Sequence, residues 1–273
     1  MHSEALTPVG KQLRHWRTTR GLSQLALAEM AEVSTRHLSF IENGKSTPSR
    51  EMVLVLASAL DVPLRERNRL LLAAGFAPVY RERSFAAPEM EQLRATVDLV
   101  LRTHDPFPAV VVDRKWDVLA ANRGAQRLIA ALIDPTALGP WMGNAMHMVF
   151  HPQGMRRAIV NWDELSAILM QRLRREALDD PAPDGVGGLV DSLAQHGPLP
   201  RADAPASGEP RLLIPVRLRL PTLELRMFTT IATLGTPIDV TAQELRIETY
   251  YPADPASEQW LRAGTSDTAG ART

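Results

Sequence analysis

The chain has 273 residues, 45% of them apolar and 23% charged, and it has no cysteine. That length accommodates two domains or one large one with a real core, and the missing cysteines exclude disulfides, thiol catalysis and Cys-ligated zinc or iron–sulfur sites. The 31 basic and 31 acidic residues cancel, and there is neither a long apolar run nor a basic-then-apolar leader, so a soluble, cytoplasmic protein is expected.

The cancellation hides a local excess. Residues 10–50 carry seven basic side chains (Lys11, Arg14, Arg17, Arg20, Arg36, Lys45, Arg50) against Glu29, Glu32 and Glu42. Phosphate neutralisation requires such an excess, although a solvated helix face gives the same count. Punctuation is more informative. Pro8 opens an amphipathic stretch that Gly21 closes, with Val9, Leu13 and Trp16 or Arg17 at helical spacing. Ser23 is an N-cap for SQLALAEMA, whose Leu27, Ala28 and Ala31 suit a close helix crossing. Ser34 caps a third helix with Leu38 and Ile41 as its buried pair, and Asn43–Gly44 stops it. Pro48 and Ser49 start a fourth; a fifth follows Pro63 and ends at Gly75.

GLSQLALAEMAEVSTRHLSFIENGKSTPS resembles the Xre/Cro-type helix-turn-helix, and the likeness covers residues 9 to about 75. It implies a lambda-repressor-like, five-helix domain whose third helix lies in the major groove of double-stranded DNA. With Leu38 and Ile41 inward, Thr35, Arg36, Ser39 and Phe40 face outward beside the cap Ser34. Arg36 can bond a guanine edge and Thr35 a base or thymine methyl; Phe40 needs an apolar partner, either a thymine methyl or a neighbouring helix. Gln24, Asn43 and Lys45 are expected on phosphates. The resemblance assigns Arg17 and Glu42 to a partly buried ion pair. Glu32 departs from the glycine common at that turn, at a cost of about 1 kcal/mol if φ is positive. GKS at 44–46 is no P-loop, because residue 39 is serine and no strand precedes it.

Composition changes at RERSFAAP, giving a linker at 76–87. Beyond it, EMEQLRATVDLVLRTH is helical by period, and AVVVD and WDVLAAN read as strands around an Arg114–Lys115 turn. Asn122 caps a helix through Ile133, Asn161 begins another, and GGLVDSLAQH forms a short one. GPLPRADAPASGEP is expected to be mobile. Three strands close the domain: RLLIPVRLRL, placed at an edge by Pro215, then LELRMFTTIATL and ELRIETYY. Residues 262–273 are expected to be disordered. The predicted fold class is therefore two-domain α+β, the helical module followed by a PAS-like antiparallel sheet with flanking helices.

PAVVVDRKWDVLAANRGAQRL, NWDEL and PIDVTAQELRIETYYPAD make residues 88–255 similar to the MmyB-like ligand-binding domain of bacterial regulators, which implies a small-molecule sensor. Trp141, Met142, Met146, Met148, Phe150, Met155 and Trp162 crowd one segment, and methionine adapts to irregular apolar ligands, although an ordinary core is the plainer reading of each alone. Trp116 and Met227 are added from the strand regions. An acyl or lactone-like effector also needs a polar anchor, for which Asn122, His147 and Arg226 are candidates, against a cap role for Asn122 and a solvent role for Arg226. His147 and His151 share a four-residue spacing but lack an evident third metal ligand. No lysine follows Lys115 and no nucleophile elbow is present, so no enzyme activity, metal or cofactor is expected. The expectation is a homodimeric regulator reading a palindromic operator, with a ligand-independent dimerisation or protein-contact scaffold as the alternative.

Overall fold

A computed structural model describes residues 8–180, 184–200, 213, 216–235 and 237–263. The chain folds into two compact units. Residues up to Ser84 form the first together with Gly235–Gln243, and the second comprises Phe85–Leu234 and the chain from Glu244 onward. The contiguous division expected from the sequence, with 76–87 as linker, thus gives way to a first unit that owns a distant second segment.

The first unit is helical: α1 (Val9–Thr19), α2 (Gln24–Met30), α3 (Thr35–Glu42), α4 (Arg50–Ala59) and α5 (Leu64–Ala73). Ser23, Ser34 and Ser49 each accept a backbone N–H from three residues on, so the side chains that start α2, α3 and α4 are the ones the sequence marks. Leu13, Leu27, Leu38, Ile41, Leu56 and Leu70 are within 1% of complete burial and form its core. Gly10 lets α1 meet α3, since a Cβ there would lie 2.1 Å from the Ile41 carbonyl oxygen. The Gly235–Gln243 segment is bound by specific bonds. Arg83 pairs with the buried Asp239 at 2.8 Å, Val240 N–H donates to the Arg81 carbonyl at 2.9 Å, Thr241 Oγ1 donates to the Arg83 carbonyl at 2.6 Å, and Leu64 N–H donates to Gln243 Oε1 at 2.7 Å.

The second unit runs α6 (Glu91–His104), β1 (Ala109–Val112), β2 (Val118–Ala121), α7 (Arg123–Leu132), α8 (Pro135–Leu138), α9 (Ala145–Phe150), α10 (Trp162–Asp179), α11 (Val186–Leu193), β3 (Val216–Arg219) and β4 (Glu224–Ala232). The short α12 (Val240–Glu244), which belongs to the first unit as far as Gln243, then leads to β5 (Arg246–Pro252) and α13 (Pro255–Ala263) of the second. The five strands form one antiparallel sheet in the order β2-β1-β5-β4-β3. Period-two alternation divides β1: Ala109 and Val111 pack with Val97 and Leu101 of α6, whereas Val110 and Val112 pack with Ala125, Met146, Met170 and Leu189. Both faces are therefore covered, which is why all four β1 residues are buried.

β3 is an edge strand. Its outer side is occupied by Ala158–Val160, through Arg219 N–H to Ala158 O at 2.7 Å and Val160 N–H to Arg217 O at 2.8 Å, which removes an exposed pairing edge. Pro215, invoked to place that strand, lies outside the described residues, as do 201–210 of the segment expected to be mobile and 264–273 of the tail. Arg262 and Ala263, assigned to that tail, instead close α13. The sequence reading also lacks α8, α9, α12 and α13.

Candidate functional site

Two places bear on function, one in each unit. In the first, the ion pair implied for Arg17 and Glu42 is present and bidentate: Nε to Oε1 is 2.6 Å and Nη2 to Oε2 is 2.9 Å. Arg17 also donates to the Leu22 carbonyl at 2.8 Å. Burial pushes the Glu42 carboxyl up, but hydrogen bonds from Arg17 and Gln24 outweigh it and leave the group below its ordinary range. The pair fixes the last turn of α3 to α1, and so sets the angle at which α3 is presented.

On α3, Arg36 and Phe40 are exposed, with Asn43 and Lys45 exposed just beyond its end; Thr35 and Ser39 are half-buried. Phe40 has an intrahelical partner, because the Arg36 guanidinium lies 5.4 Å from its ring centroid. Ser34 caps α3, and Asn43 Nδ2 donates to the Ser39 carbonyl at 2.8 Å, so both also shape the helix they were assigned to present. Gln24, also expected on phosphate, is half-buried and its side-chain amide donates to Glu42 Oε2 at 2.8 Å, which makes it a third member of the buried pair.

In the second unit a cavity of about 100 Å³ lies between the sheet and its covering helices. Its walls include Val110 and Val118, Leu128 of α7, Met146 and Met148 of α9, Met155, Leu218 of β3 and Met227 of β4. Of the residues nominated from sequence, Met146, Met148, Met155 and Met227 line it and the others do not. Phe150 and Trp162 pack edge to face at 5.3 Å in the core, and Met142 packs half-buried against a neighbouring apolar cluster. Asn122 saturates its amide on backbone: Oδ1 accepts from Ala109 and Ala125 N–H, each at 2.9 Å, and Nδ2 donates to the Phe107 carbonyl at 2.8 Å. It is a helix cap. Arg226 is exposed and pairs with Glu224 at 2.9 Å, on the strand face opposite Met227.

Trp116 closes the β1–β2 turn at φ +66° and is fully buried. Its Nε1 donates to Glu176 Oε2 at 3.1 Å, while Arg172 and Arg246 lie 4.7 and 5.1 Å from its ring and bond the same carboxylate at 2.9 and 2.8 Å. This closed set of partners makes Trp116 structural. Sequence reasoning missed Glu248 and Tyr250, which line the cavity with Thr229 and are, among the described residues, its only side chains able to ionise. The charged residues of ELRIETYY alternate with apolar ones, and that pattern reads as an outward polar face.

His147 lies in a separate polar recess with Asp117, Trp141, Asn144 and Ser192. Its Nδ1 is 2.7 Å from His196 Nε2, its Nε2 is 3.1 Å from Ser192 Oγ, and Trp141 stacks on it at 4.0 Å. Burial first, then the neighbouring His196, lowers its pKa to about 4, so the ring is neutral at neutral pH. Among the described residues no group of His, Asp or Glu is arranged to hold a metal ion, and no helix is long and apolar enough to cross a membrane.

Comparison with known proteins decides the family. A profile for the MmyB-like transcription regulator ligand binding domain matches residues 93–263. The chain belongs to the MmyB-like transcription regulators. A helix-turn-helix profile matches residues 13–67 of this MmyB-like protein, a span that contains α2 and α3. Transcriptional regulator ClgR of Mycobacterium tuberculosis is 34% identical over 91 residues, 33% of this chain and 79% of its own length. Uncharacterized HTH-type transcriptional regulator RghRB of Bacillus subtilis is 36% identical over 120 residues, 42% of this chain and 82% of its own. A solved structure, of an RNA-binding Light-Oxygen-Voltage receptor, aligns with a TM-score of 0.27 and 12% identity over 97% of this chain and 65% of that one, and at that score carries no argument. The MmyB-like chain is thus a DNA-binding transcriptional regulator with a domain of ligand-binding type.

Proposed function

We propose that this regulator binds a palindromic operator as a homodimer and that a small apolar or amphipathic molecule, of acyl or lactone-like kind, occupies the cavity and changes DNA affinity. The chain performs no chemistry of its own on this reading. The observation that carries it is the cavity among Met146, Met148, Met155 and Met227, in the domain of ligand-binding type. Four flexible thioethers on the wall of one cavity allow it to change volume at low cost. An effector acts only through differential affinity for two arrangements of the reading heads, so ligand binding and DNA binding must be thermodynamically coupled.

The rival reading, a scaffold for dimerisation or protein contact, has one observation in its favour. At about 100 Å³ the cavity is smaller than the roughly 300–1,000 Å³ usual for ligand pockets. Native mass spectrometry of the full chain, followed by anisotropy titration on operator selected from random duplexes, separates the two. A co-purifying small molecule whose removal changes operator affinity by about tenfold is the expected result. Protein that carries no small molecule, and whose affinity is unmoved by cell-extract fractions, would establish the scaffold.

A further inference from the structure

The helices of the first unit differ in how they are started. Ser23, Ser34 and Ser49 cap α2, α3 and α4 from the residue before each helix, whereas α5 is preceded by Pro63, whose side chain can accept no hydrogen bond. The Leu64 N–H at the start of α5 is capped instead by Gln243 Oε1 of α12, at 2.7 Å. Asp239 and Thr241 hold the start of α12 itself, the first by its ion pair with Arg83 and the second by its bond to the Arg83 carbonyl. α5 in turn contributes Leu70 and Leu71 to the core that contains Leu38 and Ile41 of α3.

From Gln243, the last residue of the first unit's second segment, the chain reaches the cavity wall at Glu248 five positions on, a span of at most roughly 18 Å. Every residue between is held. Glu244 lies 3.9 Å from Arg114, Leu245 and Ile247 are buried in one cluster with Val97, Leu101 and Val111, and Arg246 bonds Glu176 at 2.8 Å. A close-packed segment without slack passes a shift at one end to the other. The connection after Ser84 leads elsewhere: the Phe85 and Ala87 carbonyls accept from Arg94 of α6 at 2.6 Å, and α6 covers the sheet face that carries Ala109 and Val111, away from the cavity wall at Val110. We propose, on the reading that the cavity is the effector site, that residues 239–248 are the coupling element of this regulator: a shift of β5 at Glu248 and Tyr250 is carried through α12 to the Gln243 cap, and alters how α5 seats in the core that positions α3. Coupling is reciprocal, so operator binding must in turn change β5.

The test uses the full chain with selected operator duplex as its only probe, and reads amide hydrogen exchange. In the wild-type protein, saturating operator should change exchange at the Leu64 amide and across residues 246–251 by at least about threefold. Two variants break the link differently: Asp239→Asn with Gln243→Ala removes its anchors, and insertion of Gly-Gly between Gln243 and Glu244 keeps every anchor but adds slack. Both should bind operator within roughly threefold of wild type, while the response of residues 246–251 disappears. A response there that persists in the insertion variant, or that is absent from the wild type, would overturn the coupling element. So would a loss of operator affinity beyond about tenfold in both variants, which would make the segment part of the first unit's own stability. The effector reading fails on a different result, a wild-type operator affinity unmoved by cell-extract fractions, whatever the exchange shows.

Discussion

Arg36 and Lys45 differ in kind although both are exposed cations near one helix. Arg36 is held over Phe40 on the reading face, whereas Lys45 follows the helix end. Arg36→Ala should therefore cost about 1–3 kcal/mol on the selected operator and relax preference at one base pair. Lys45→Ala should weaken all duplexes alike and lower the salt slope by about one. Parallel anisotropy titrations on operator and random DNA check both, and equal losses for Arg36→Ala would remove its base-reading role. Beneath them, Arg17→Ala leaves Glu42 buried and unpaired, with an expected loss of about 3–5 kcal/mol in urea unfolding. Because the Glu42 pKa is lowered in the folded state, its contribution is present above the ordinary carboxylate range and is lost as pH falls through that range. At the turn before α3, Glu32 has φ +53°, and Glu32→Gly should raise stability by up to about 1 kcal/mol. Ser34, Leu38 and Ile41 were legible because each is signalled by its immediate neighbours, whereas the φ at residue 32 was raised only by the resemblance, which puts glycine at that turn. Gln24 was not legible, since the carboxylate that claims it lies 18 residues away.

At the scale of elements, α9 and α11 meet through histidine. His147 bonds His196 and Ser192, and burial with the neighbouring His196 makes the folded protein bind a proton there only near pH 4, whereas the unfolded chain binds it near 6.5. Between those values the unfolded state holds more protons at this site, so its contribution to stability is full above pH 6.5 and declines as pH falls towards 4. Urea unfolding at a series of pH values should show a shallower decline for His147→Asn than for wild type across that window. An identical decline would place the acid sensitivity elsewhere. The recess also explains what periodicity missed. α9 has six residues and α12 five, too short for a helical period to register, and His196 lies 49 residues from His147. The strands read more easily, because β1 is a short apolar run bounded by turns and β3 alternates apolar residues with arginine. Glu248 escaped the same logic: a charged residue at an inward position is the one case in which alternation points the wrong way.

For the whole molecule, the class of fold and the order of its two parts were readable from motif order, but not the assignment of Gly235–Gln243 to the first unit. That assignment rests on Asp239 and Gln243, whose partners Arg83 and Leu64 are 156 and 179 residues away. Gln243→Ala should speed hydrogen exchange at the Leu64 amide, and Asp239→Ala should cost about 1–3 kcal/mol by stranding Arg83. Unchanged exchange at Leu64 would remove the bond from consideration. The same segment joins β4 to β5, the strands that carry Met227, Thr229, Glu248 and Tyr250. A recombination that exchanged everything after Ser84 as one cassette would import a foreign β4–β5 connection, with no guarantee of an acid to meet Arg83 or an amide to meet Leu64. Heads and sensors of this architecture are therefore expected to be inherited as matched sets, and a chimaera should need nine grafted residues, 235–243, to recover the stability of its reading head.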